Sequence, residues 1–123
     1  MTLVDTSVWV DHLRGAEPDL TPLLNDNQVL AHPMVVGELA CGSLGNRAEV
    51  LGLLSGLPQA PVATDQEVLA LIEHHRLMGR GIGYIDAHLL AATALASPCL
   101  LWTSDRRLRD IARSLGFARQ VSG

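Results

Sequence analysis

The chain contains no lysine. That removes the ammonium group which many phosphoryl-transfer sites set beside the phosphate. All nine cationic side chains are arginines, whose planar fork suits phosphate oxygens. Aromatic residues make up only 3%, so a core must come from Leu, Val, Ile and Ala. Two cysteines, Cys41 and Cys99, exclude a disulfide framework. Both stand in apolar context and read as small packing residues. No pair of Cys or His has the spacing of a zinc finger. The glycines at 79, 81 and 83 lack the following Lys-Ser/Thr of a phosphate loop. No Ser or Cys has the context of a nucleophile elbow. The apolar start is short, contains Asp5 and has no basic leader, so no signal peptide is expected. The longest apolar stretch, 87–102, holds His88 and Pro98 and is too short for a bilayer. A cytoplasmic protein without membrane contact is expected.

What is present is a chain of one domain's length, 123 residues, with 48% apolar content. The expected domain covers residues 1–123. Its charge is divided. Residues 1–75 carry ten acids and two arginines, a balance of −8, and residues 76–123 carry three acids and seven arginines, a balance of +4. A basic final third beside an acidic region suits nucleic acid; the plainer reading is a solvated helix face.

Residues 2–5 read as a short buried strand, followed by a helix from Val8 to Arg14. Gln28–Ala31 reads as a second strand. Pro33 suits the first turn of a helix running to about Cys41. Residues 47–54 read as a further helix and 55–64 as loop, with a short strand near Val62. Thr64 and Glu67 form a capping box that opens a helix. Tyr84–Ala96 is apolar nearly all round and reads as a core helix. Cys99–Trp102 reads as a buried strand, Ser104 or Asp105 starts the last helix, and Phe117–Val121 reads as an edge strand. Short buried strands alternating with helices imply an α/β fold: a short parallel sheet flanked by helices on both faces.

Four acids stand at the borders of apolar segments, where charge is costly. Asp5 and Asp105 follow strands, Asp86 falls in the first turn of the core helix, and Glu38 lies inside a helix between apolar neighbours. Beyond the carboxyl ends of parallel strands all four can meet on one rim. Gathered carboxylates cannot all stay ionised without cations, and an all-oxygen set suits Mg²⁺ or Mn²⁺. Each acid also has a structural reading. Asp5 and Asp105 are good helix N-caps, Asp86 favours a helix dipole, and Glu38 fits a solvated helix face. Gly37 beside Glu38 would allow another segment to come close. His74 and His75 are adjacent and cannot share a helix face. His12, His32 and His88 read as surface or satisfied interior residues.

The blocks "LVDTSVWVDHLRG", "VVGELACG", "IGYIDAHLLAATAL" and "LLWTSDRRLRDIA" together resemble the four motif blocks of PIN-domain proteins, in order and over essentially the whole chain. Among these they resemble most the VapC-type ribonuclease toxins of toxin–antitoxin pairs. The resemblance implies that Asp5, Glu38, Asp86 and Asp105 are the catalytic, metal-holding quartet. It matches Thr6 or Ser7, and Thr103, to supporting hydroxyl residues. It implies an endoribonuclease using Mg²⁺ or Mn²⁺ to hydrolyse RNA through activated water, a cognate antitoxin and a homodimer. Arg106 and Arg107 are expected to contact RNA, or else to pair with acids such as Asp110. Leu108 stands where such families often carry Phe. Two alternatives remain: a PIN-fold module that binds RNA or protein without cutting, and a Mg²⁺-dependent phosphatase or phosphoreceiver. The latter usually needs the lysine this chain lacks.

Overall fold

In a computed structural model, which describes residues 1–119, the first strand is the centre of the sheet. β1 (Thr2–Val4) pairs in parallel with β2 (Val29–Leu30) on one side and β3 (Leu100–Trp102) on the other. Leu3 lies opposite Leu30 and Leu101, and Val4 opposite Trp102. Alternate strand residues point to opposite faces, and Thr2, Leu3 and Val4 are all buried. Both faces of the sheet are therefore covered.

Single parallel bridges lengthen the sheet at each edge. Ala60 N donates to Ala31 O at 2.8 Å, and Ala31 N to Pro58 O at 2.9 Å, so Gln59 pairs with Ala31. On the far side Leu101 N donates to Phe117 O at 2.7 Å, and Ala118 pairs with Leu101. The strand expected near Val62 is thus a bridge at Gln59. The expected final strand is met at Ala118, and its continuation through residues 120 and 121 lies outside the described residues.

Helices make the crossovers that parallel strands require. They are α1 (Thr6–Leu13), α2 (Leu20–Asn25), α3 (Pro33–Ala40), α4 (Arg47–Gly56), α5 (Asp65–His75), α6 (Tyr84–Leu95) and α7 (Arg106–Ser114). α1 begins at Thr6, not Val8, because Asp5 itself is the N-cap and Oδ1 accepts from Thr6 N at 2.7 Å. α2 was not foreseen; it is short and buries a single side chain, Leu20. The capping box of α5 forms as expected, with Thr64 and Glu67 exchanging bonds of 2.9 and 3.1 Å. α6 buries an unbroken run from Ala87 to Thr93, as a core helix must. α1 packs on α3 and α3 on α4, while α5 packs on α6. Among the described residues no helix is long and apolar enough to cross a membrane.

Three expectations fail locally. Cys41 is exposed at the end of α3, and only Cys99 is buried. A Cβ on Gly37 would meet nothing within 4 Å, so no segment uses that gap. His32 and His88 are both buried, but among the described residues His32 Nε2 and both ring nitrogens of His88 lack a hydrogen-bond partner.

Candidate active site

Asp5 is fixed more firmly than any other acid. It follows β1 directly, and its N–H donates to Trp102 O at 2.9 Å, tying it to β3. The residue is only 6% exposed. Oδ1 accepts from the Thr6 N–H; Oδ2 accepts from Thr103 Oγ1 at 2.7 Å and Ser7 Oγ at 3.0 Å. Two hydroxyls and an amide thus offset the burial of a charge that would otherwise be costly. Thr103 Oγ1 also accepts from Asp105 N at 3.0 Å, and Ser7 Oγ from Ser104 N at 3.1 Å. The turns after β1 and β3 are therefore laced together by Ser7 and Thr103.

The other acids arrive from three helices. Asp105 caps α7, its Oδ1 accepting from Leu108 N at 3.0 Å. Asp86, in the first turn of α6, accepts from Gly83 N at 3.1 Å through Oδ2. Glu38, on α3, accepts from Thr6 Oγ1 at 2.7 Å through Oε1. Thr6 and Ser7 are both used, the first towards Glu38 and the second towards Asp5. The structural readings of Asp5, Asp86 and Asp105 hold together with their convergence: each satisfies a helix start with one oxygen.

Convergence is visible in the electrostatics. The Asp86 carboxyl is pushed above its ordinary range, first by burial and then by the negative charges of Asp5, Asp105 and Glu38; the Gly83 N–H works the other way. All four acids therefore share one region at the carboxyl rim of the sheet, the usual site position in such sheets. Among the described residues Asp86 Oδ1, Asp105 Oδ2 and Glu38 Oε2 accept no hydrogen bond. Free carboxylate oxygens are the donor type that a hard divalent ion takes. Among the described residues no group of three or more Asp, Glu, His or Cys side chains is set closely enough to hold a metal ion. An ion at this rim would be bound by one or two carboxylates and keep several waters.

Two histidines steady the helices that carry these acids. His32 caps α3, its Nδ1 accepting from Met34 N at 3.1 Å. Burial, and then the neighbouring His88, lower its pKa, which keeps that nitrogen free to accept. His88 Nε2 lies 3.4 Å from Asp65 Oδ1, which accepts from the Tyr84 hydroxyl at 2.8 Å, linking α5 to α6. The His32 cap is local, to the N–H two residues on, but His is not a usual capping residue; the contact of His88 with Asp65 depends on a tertiary neighbour.

Arg106 and Arg107 begin α7 and are exposed. Among the described residues neither pairs with an acid; Asp110 instead pairs with Arg113 at 3.7 Å. The alternative that Asp110 explains them is thereby removed.

This arrangement has a counterpart among known proteins. Residues 2–114 match the PIN domain, and the chain belongs to the PIN-domain family. It is similar to Ribonuclease VapC32 of Mycobacterium tuberculosis, from strains CDC 1551 / Oshkosh and H37Rv. Each is 49% identical over 118 residues, covering 96% of this chain and 95% of the relative.

Proposed function

We propose that this protein is a divalent-metal-dependent endoribonuclease, the toxin of a toxin–antitoxin pair, with Asp5, Glu38, Asp86 and Asp105 as its catalytic residues. One observation carries the reading: Asp5, Glu38 and Asp105 are tied together through Thr6 and Thr103 where β1 and β3 end, and the Asp86 carboxyl, raised first by burial, is raised further by their charges. Carboxylates so gathered have use for a cation. The name of the relatives, Ribonuclease VapC32, supports the choice of RNA.

Bound there, Mg²⁺ or Mn²⁺ would supply the positive charge that acidifies a water and offsets charge on the phosphoryl oxygens. The chain's own residues do the rest. Asp5, clamped by Thr6, Ser7 and Thr103, is the fixed point of the site. Asp105 and Asp86 each keep one oxygen without a hydrogen bond among the described residues. Glu38, held by Thr6, is the acid best suited to orient the attacking water or take its proton. No protein nucleophile is required, so the expected products carry a 5′ phosphate and a 3′ hydroxyl.

The RNA would be met in the cytoplasm. Arg106 and Arg107 are the residues we assign to its backbone. A cavity of about 470 Å³ opens against Thr6 and Glu38 between α1, α3 and α4. A cognate antitoxin seated there would cover Glu38, and a homodimer follows from the same family reading. Mapping the ends of RNA cut by the purified protein tests the reaction. Ends of the opposite polarity, or no cutting with either metal, would overturn it.

A further inference from the structure

Aromatic side chains are scarce here, and Tyr84 is the one that remains well exposed. Trp9 and Trp102 are buried and Phe117 is half-buried, whereas Tyr84 is 45% exposed. It stands two residues before Asp86 at the start of α6. It is not a loose ring. Its hydroxyl is pinned to Asp65, and it meets the His88 imidazole edge to face with centroids 4.8 Å apart. Beside it lies an apolar cavity of about 180 Å³, walled by Tyr84, Leu77, Met78, Ile82 and the backbone of Gly79 and Gly83. The same loop touches a cation. A Cβ on Gly81 would fall 2.6 Å from Arg107 Cδ and 2.7 Å from Nη1, so the arginine lies on the space this glycine leaves. One short loop therefore joins an exposed ring, an apolar recess, a seated guanidinium and a carboxylate of the acid cluster.

We propose that Tyr84 and the recess beside it bind one unpaired nucleobase of the RNA, and that Arg107, seated on Gly81, holds an adjoining phosphate. The proposal rests on the ribonuclease reading and adds a specificity subsite to it. Unpaired bases stack on aromatic faces regardless of sequence, and an arginine tracks the backbone. The occupant is a single-stranded segment because a base inside a duplex is already stacked on both faces and has none free for the ring or the recess. Tyr84 here binds substrate through its ring, and its hydroxyl only orients that ring.

The test measures binding of a short single-stranded RNA carrying 2-aminopurine, in Ca²⁺ at several salt concentrations, together with cleavage in Mg²⁺. Tyr84→Ala is expected to weaken binding about 5- to 100-fold, the loss of one stacked base. It should raise KM, leave kcat nearly unchanged and leave the salt slope unchanged. Tyr84→Phe keeps the ring and should bind within about twofold of wild type, a change far below one stacked base. Tyr84→Leu fills the space without a π face and should bind as poorly as Ala, which covers an Ala variant that does not fold. Arg107→Ala should flatten the log–log salt slope by about 0.7. If Tyr84→Ala and Tyr84→Leu bind as wild type, or Tyr84→Phe is as weak as they are, the subsite is overturned. An unchanged slope for Arg107→Ala overturns the phosphate contact. If the wild type neither binds nor cuts RNA, the ribonuclease reading falls as well. If it cuts and Asp86→Asn does not, that reading stands whatever Tyr84 does.

Discussion

The Thr103 hydroxyl donates to Asp5 Oδ2 at 2.7 Å across 98 residues of sequence, in a buried contact. It ties the end of β1 to the end of β3, and it fixes the acid with the least freedom. Thr103→Val keeps the shape and removes the donor. Stability should fall by about 1.5–3 kcal/mol, the range for a hydrogen bond to a charged group. Cleavage should fall further than the folded fraction does. Thr103→Ser should restore both. Urea unfolding and turnover on one RNA would decide it, and a silent Val variant would contradict the role given to Thr103.

Asp5→Asn and Asp86→Asn should each lower cleavage more than about 100-fold, the upper end for changes in the shell around metal ligands, while the protein stays folded. Chelator should abolish activity. Ca²⁺ should support RNA binding with little turnover, because its coordination is looser. Near-normal cutting by either folded variant would remove that residue from the catalytic set.

The raised pKa of Asp86 has a definite sign in stability. A carboxyl whose native value lies above its unfolded value favours folding most when protonated. Below about pH 3.9 it is protonated in both states and costs nothing. As the pH climbs through the raised native value, metal-free wild type should lose stability relative to Asp86→Asn. Added Mg²⁺ should narrow that gap at neutral pH by replacing the proton. The check is melting temperature in chelator against pH for both proteins; a gap that stays flat contradicts the strained carboxyl.

Arg106 occupies the first position of α7, where a cation opposes the helix dipole. Helix stability does not explain it, and among the described residues no acid pairs with it. Arg106→Ala should weaken RNA binding and reduce the log–log salt slope by about 0.7. An unchanged slope would mean that this arginine does not touch the RNA backbone.

Expression of the chain alone should slow growth, and co-expression of a cognate antitoxin should relieve it. An active but harmless nuclease would remove the toxin assignment and leave the chemistry intact.

The acids were legible because each breaks an apolar run where a charge is expensive. Asp5 and Asp105 could be read as caps or as site residues; the structure shows the caps, and since a carboxylate has two oxygens the cap leaves room for the proposed site role. α6 was equally plain, because a helix buried on most sides leaves an apolar sequence. α2 escaped because six residues with one buried side chain leave no period to detect. The bridge at Gln59 escaped because it uses backbone groups alone and asks nothing of the side chain. His32 and His88 are interior residues, as one of the two readings had it, but neither is fully satisfied among the described residues, because Asp65, the acid nearest His88, comes from another helix and stands 3.4 Å away. Thr6 was read as a generic hydroxyl; its bond to Glu38 spans two helices and has no local sign.

The central strand is made before both of its partners. Leu3 and Val4 wait for Leu101 and Trp102, and Asp5 waits for Thr103, until a further 98 residues have been added. A nascent chain that ends before β3 has half a sheet, an unclamped Asp5 and no Asp105. The acid rim cannot form on the ribosome ahead of β3. A protein that cuts RNA as proposed is thereby inert beside the message and ribosome producing it until that strand has been made.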